Sequence, residues 1–289
     1  MKYMKKALSV LLLLCLMSTY VIALDFESEE GIGTYIRSYQ ANIADGAQFN
    51  ANTLEHVSAG RTEERYVKYT PGSQVVPIVA YGSVLYGKST ISRIANIVEE
   101  QGAEVVAGIN GDFFFVDNGI PIGIVVADGI LRSSCAGQNA VGFFEDGSAI
   151  IDKPQLSVNL MTDTGYSLAI DYINIDRRNY GVYLLTPDFS SNTRTTTEGT
   201  TIILNQLSGD LRIGGTVTGT VSQVIKGSGP VNLEPGTMAL TATEENNLAE
   251  KLEGVASSQK VTISVSSPDP IWNEVTYAVG AGDLIVNDG

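Results

Sequence analysis

Histidine, cysteine, tryptophan and basic charge are all scarce in these 289 residues, and each shortage removes a class of chemistry. With one histidine, His56, there is no His-rich metal centre, and any Ser–His–Asp machinery would depend on that side chain alone. The two cysteines, Cys15 and Cys135, fall on either side of a leader boundary. A processed chain therefore keeps only Cys135 and forms no internal disulfide. Against 32 Asp and Glu stand only 18 Lys and Arg, for a net charge of −14, and no basic cluster offsets it locally. Such a surface repels phosphate backbones and argues against nucleic acid as a partner. What is plentiful is apolar: 44% hydrophobic residues and 30 glycines are enough to build a core and exclude wholesale disorder.

Residues 1–23 read as a secretory signal peptide. Lys2, Lys5 and Lys6 form its basic start, residues 7–17 its apolar run, and Val21-Ile22-Ala23 its cleavage site. The apolar run is about half of the ~20 residues a membrane span requires, and no later segment approaches one. The expected location is therefore extracytoplasmic, secreted or at the cell surface. Residues 24–74 are polar and acidic at their start, and read as a lead-in of modest order. From residue 75 the pattern tightens. Residues 75–81 and 104–109 are strand candidates, and between them Ser89 or Thr90 caps a helix carrying Ile91, Ile94, Ala95 and Val98 on one face.

Beyond residue 120 strands and tight turns dominate. Asp128-Gly129 and Asp146-Gly147 each sit between apolar runs, a strong hairpin signal. Further strands are expected at 156–161, 167–175, 181–185, 200–204, 221–225 and 261–265. A second helix, capped by Thr243 and ended by Gly254, places Leu248, Ala249 and Leu252 together. The expected class is α+β, mostly antiparallel sheet with a few packed helices.

Residues 82–89 (GSVLYGKS) match the phosphate-loop pattern formally, but bulky Val84, Leu85 and Tyr86 oppose wrapping of a phosphate by the loop's amides. No nucleotide cofactor is expected. The densest constellation is 108–115 (GINGDFFF). Asn110 and Asp112 lie two residues apart at the end of an apolar run, a spacing that puts both on one face of extended chain. Gly111 between them would let a ligand approach the backbone. A polar turn followed by core aromatics accounts for the same residues equally well.

These residues also carry a resemblance. Residues 106–114 (VAGINGDFF), 119–129 (GIPIGIVVADG), 141–147 (VGFFEDG), 183–189 (YLLTPDF) with Thr195, and Trp272 with 278–289 (AVGAGDLIVNDG) resemble, in order, blocks of the phosphodiester glycosidase domain family. That family includes N-acetylglucosamine-1-phosphodiester α-N-acetylglucosaminidases and bacterial exopolysaccharide biosynthesis proteins. Asp112 stands where members more often carry a second glycine. The later H-P-R-T-A, D-G-R and L-D-G-G-G-S blocks have no counterpart, so the resemblance implies a domain, residues 75–289, without its C-terminal part.

The reaction so implied is hydrolysis of a sugar-1-phosphodiester in cell-envelope or exopolysaccharide glycans. Phosphate already leaves well, so the main need is to stabilise positive charge on the sugar and position water. The resemblance makes Asp112 and Asn110 the catalytic candidates. Gly111, Arg132, Ser133, Thr195 and Asp283 become candidate substrate-binding residues, with Ser134 and Asp288 beside them. No metal ligand set is expected, and the cofactor is left open. The alternative is a non-catalytic glycan-binding or wall-associated module using the same cleft. A third reading, a ligand-free surface protein, makes Asn110 and Asp112 turn formers.

Overall fold

The computed structural model describes residues 33–56, 58, 60–134 and 138–282; the leader, Cys135, Asp283 and Asp288 lie outside them. The chain divides between Val75 and Val76 into two compact units.

The first unit corrects the expectation of modest order. Strands β1 (Thr34–Ala44), β2 (Ala47–His56) and β3 (Gly60–Tyr69) form an antiparallel sheet in the order β1-β2-β3. Apolar alternation is weak here because polar ladders hold the strands. Gln40 Nε2 donates to Gln48 Oε1 (2.5 Å) and Asn50 Oδ1 (3.1 Å), and Asn52 Nδ2 donates to Glu64 Oε2 (2.8 Å). Tyr39 and Phe49 pair across the sheet at 6.5 Å.

In the second unit Thr90 caps α1 (Ile91–Glu100), its hydroxyl accepting the Arg93 N–H at 3.2 Å. Both Asp-Gly turns close hairpins: β4 (Val125–Ala127) with β5 (Ile130–Ser133), and β6 (Ala140–Phe143) with β7 (Ala149–Asp152). Asp128 and Gly129 sit at φ 55° and 72°, the left-handed geometry such a turn demands. β16 (Tyr277–Gly280) inserts between the hairpins, giving a five-stranded sheet ordered β5-β4-β16-β6-β7.

The larger sheet contains β8 (Ser157–Thr162), β9 (Ser167–Ile170), β10 (Tyr172–Ile173), β11 (Tyr183–Leu185), β12 (Gly199–Gly209), β13 (Thr216–Gly227), β14 (Met238–Thr243) and β15 (Lys260–Ser266). Its order is β10-β11-β14-β12-β13-β15-β8-β9, and only the β10–β11 pair is parallel. Between the sheets lies the main core, from Ile124, Val126 and Leu131 through Leu160, Ile202 and Ile263 to Trp272. A second cluster gathers Ile120, Tyr183, Leu185 and Phe189.

Strands account for 43% of the described residues and helices for 9%, so the class is mostly β, correcting the α+β expectation. Only α1 is a regular α-helix among the described residues. The expected second helix is a 3-10 segment, Glu245–Leu252, in which Asn246 and Asn247 adopt φ 56° and 58°, values that no α-helix sustains. Its face still buries Leu248, Ala249 and Leu252. Residues 75–81 and 104–109 are irregular rather than extended pairs. Their apolar runs find no sheet neighbour among the described residues, and Ile109 is 82% exposed.

Candidate functional site

β5 ends in Arg132-Ser133, and Ser134 then bridges to Ile173 of β10, stitching the smaller sheet to the larger one. Ser134 N–H donates to the Ile173 carbonyl (3.3 Å), and Ile173 N–H donates to Ser134 Oγ (3.0 Å). At this junction Arg132 Nη1 meets Asp188 Oδ2 at 2.7 Å, with side chains only 22% and 33% exposed. Asn174 anchors the Arg132 backbone directly and the Asp188 turn through Thr186. Its Nδ2 donates to the Arg132 carbonyl (2.7 Å) and to Thr186 Oγ1 (2.9 Å), while its Oδ1 accepts Thr186 N–H (2.7 Å). Thr186 Oγ1 in turn accepts the Asp188 N–H at 3.2 Å. Asn174 is fully buried at φ 53°, a strained state that persists only where its surroundings determine it.

The junction is electrostatically tuned. Burial pulls the Arg132 guanidinium down, but Asp188, Tyr81 and Asp128 outweigh it and the group titrates above its usual range. Tyr81 is pushed up to about 12 by burial and then by the negative charge of Asp188. Tyr277 donates to Asp128 Oδ1 (2.6 Å) and is likewise raised to about 12, by burial first. Arg132 Nε–H is buried and hydrogen-bonds no described atom.

The Asn110–Asp112 stretch lies near the start of β4. Asp112 Oδ2 accepts Gly123 N–H at 2.5 Å, and Oδ1 accepts Phe113 N–H at 2.7 Å. The carboxylate fills the space over Gly123 and Gly280, where an added Cβ would fall 2.3 and 2.2 Å from Oδ2. Asp112 thus ties the incoming chain to the segment leading into β4 and packs against Gly280 of β16. The room expected beside Gly111 is taken, since a Cβ there would meet Val279 Cγ2 at 2.8 Å. Asn110 is exposed on irregular backbone. Phe113 and Phe114, which the turn-and-core reading would bury, stand 77% and 48% exposed.

Of the other sequence candidates, Arg132 and Ser133 are neighbours on β5, but Ser133 is fully buried with its hydroxyl unpaired. Thr195 is buried and structural, bonding Thr193 Oγ1 (3.0 Å) and donating to the Gly229 carbonyl (2.9 Å). Asp283 lies outside the described residues. Sequence reasoning missed Asp188 and Tyr81 as site residues. Asp188 stood in plain view within the 183–189 block, but nothing local marks it as the partner of a cation 56 positions away. Among the described residues no three His, Cys, Asp or Glu side chains gather to hold a metal ion. In the phosphate-loop-like stretch, the Leu85 and Tyr86 amides donate to the Asp188 and Phe189 carbonyls at 2.8 and 2.9 Å. Two open hollows, of about 310 and 320 Å³, lie over β8–β15 and beside the 245–252 segment, and no sequence candidate lines either.

No family model matches the chain, and no curated protein does. Solved structures do. A hypothetical protein from Synechocystis superposes with a TM-score of 0.69 at 18% identity, over 87% of this chain and 45% of its own. A candidate exported protein from Burkholderia pseudomallei superposes at 0.56 and 13% identity, over 82% of this chain and 50% of its own. At such identities the likeness is one of fold, and the chain spans about half the length of the structures it matches. No helix among the described residues is long and apolar enough to cross a membrane. An extracytoplasmic location is compatible with that and with the exported neighbour.

Proposed function

We propose that the chain is a secreted or cell-surface hydrolase of sugar-1-phosphodiester bonds in envelope or exopolysaccharide glycans. The observation that carries this reading is the half-buried Arg132–Asp188 pair at the sheet junction, oriented by Asn174 and Thr186. In a chain this acidic, a guanidinium held in place beneath the surface is the group suited to a phosphodiester anion. Arg132 then neutralises the phosphate as it leaves, and Asp188 keeps the guanidinium aimed. Positive charge building on the anomeric carbon is balanced by a neighbouring carboxylate, Asp188 or Asp112. The five ordered blocks of family resemblance support the same substrate class.

A second reading, a non-catalytic glycan-binding module, is favoured by two observations. Both Asp112 oxygens are occupied by backbone N–H groups, and Phe113 and Phe114 offer exposed rings on which a sugar face could stack. The test is sugar release from a UDP-sugar by wild type, Arg132→Met and Asp188→Asn. Wild-type release falling about a hundredfold in Arg132→Met supports the hydrolase. Binding of envelope glycan without release selects the module, and equal release by all three removes the ion pair from the mechanism.

A further inference from the structure

Away from the Arg132–Asp188 pair, two more arginines are held in an unusual way. Arg178 lies over the Phe115 ring at 4.7 Å, and Arg194 lies over the Tyr86 ring at 4.7 Å. Both rings pack on the Ile120–Phe189 cluster, and Tyr86 meets Phe189 edge-on at 5.6 Å. Stacking fixes the plane of each guanidinium while leaving its edge to solvent. Neither is spent on an ion pair, since those among the described residues are Arg65–Glu63 and Arg132–Asp188. Arg194 gives only Nε–H, to Ser190 Oγ (3.0 Å).

The rings that carry them share one cluster, and Asp176 lies beside the Phe115 turn, its Oδ2 accepting Asn118 Nδ2. Burial raises the Asp176 carboxyl, and the charges of Arg178 and Arg194 pull it back only in part. Asn118 is itself pinned, its carbonyl accepting Gly87 N–H (2.7 Å) and its Oδ1 accepting Ile120 N–H (3.1 Å). Lys88 lies alongside, its Cγ within 3.2 Å of where a Gly119 Cβ would be. Arg194 also sits at φ 54°, a backbone state that costs a non-glycine residue of order 1–3 kcal/mol and tends to collect at ligand clamps. Its N–H is caught by Asn192 Oδ1 at 3.0 Å.

We propose that Arg178 and Arg194 form a second, tetrahedral-oxyanion subsite that takes a phosphate group, with the edges of the two stacked guanidinium planes as its donors. Its identification with a phosphate of the glycan rests on the hydrolase reading; the oxyanion site itself does not. Asp176 tempers the subsite, since its carboxylate competes with the incoming anion for the same two cations.

The probe is inorganic phosphate, titrated calorimetrically at low ionic strength into the full chain, with sulfate as competitor. Saturable binding is expected, and Arg178→Ala or Arg194→Ala should each weaken it about tenfold or more. Arg178→Lys and Arg194→Lys keep the charge but lose the stacked fork, and should weaken it as well. Asp176→Asn should tighten it several-fold. A wild-type chain that binds phosphate through Arg178 and Arg194 yet releases no sugar from a UDP-sugar overturns only the hydrolase reading. Arg178 and Arg194 are exposed, and Trp272 fluorescence verifies folding of each variant. Absence of saturable binding overturns the subsite, as do Lys variants equal to wild type or Ala variants without effect.

Discussion

Asp112→Asn separates a fold-forming role for this carboxylate from a catalytic one. Asp112 Oδ2 accepts Gly123 N–H at 2.5 Å, a charge-assisted bond that joins the 110–114 stretch to the segment leading into β4. The second bond, to Phe113 N–H at 2.7 Å, is local and exposed, so it counts for less. An asparagine can point its one carbonyl at only one of these donors and turns an NH₂ toward the other. Bonds to charged groups contribute roughly 1.5–3 kcal/mol each, so the substitution should cost about 2 kcal/mol. In a unit of this size that lowers Tm by about 4–8 °C.

The reporter is built in: the one tryptophan of the sequence, Trp272, is fully buried in the core of the second unit. Urea unfolding followed by its fluorescence gives the midpoint directly. A cycle adds a geometric check. Gly123→Ala places a Cβ 2.3 Å from Asp112 Oδ2 and 2.7 Å from Gly280 Cα, so removing the carboxylate relieves part of the clash. Asp112→Ala/Gly123→Ala should therefore be less destabilised than the sum of the singles, by about 1 kcal/mol. An unchanged midpoint in Asp112→Asn, with sugar release abolished, would refute the reasoning and make the group catalytic.

Other expectations follow from the same contacts. A double-mutant cycle of Arg132→Met and Asp188→Asn should show about 1–3 kcal/mol of coupling, between exposed and buried limits, and near-zero coupling would deny the pair any energetic role. Because Tyr81 and Tyr277 are raised from 10 to about 12 in the fold, their stabilisation is complete below pH 10 and is lost as pH rises through 12. Urea midpoints measured across that window should fall, and the fall should be shallower in Tyr81→Phe. Gly119→Ala meets the Gly87 carbonyl oxygen at 1.9 Å from a backbone at φ 77°, and should cost more than about 3 kcal/mol or prevent folding. Phe113→Ser, at an exposed ring, should change stability by no more than about 0.5 kcal/mol while weakening glycan retention on an envelope affinity column.

What could be read in advance follows interaction range. Thr90 caps α1 through a bond spanning three residues, and the Asp-Gly turns impose their hairpins through their own φ angles. Sheet β1–β2–β3 was missed because Gln, Asn and Glu side chains bond across it, which leaves no hydrophobic period to detect. Residues 104–109 misled in the opposite direction. Their apolar pattern resembles a buried strand, yet a strand exists only where another offers its backbone groups. At the site, Arg132 and the 183–189 block were both visible, but their meeting was not.

Local chemistry alone therefore specified the turns, the caps, the scarcity of histidine and cysteine and the acidic surface, since each depends on residues a few positions apart or on simple counts. Folding in three dimensions decided which strands pair, that Asp112 is held by Gly123, and that Arg132 faces Asp188 while Arg178 and Arg194 stack on aromatic rings. Those outcomes depend on contacts between segments from about ten to well over a hundred residues apart, and packing selects among them only once the whole sheet has formed.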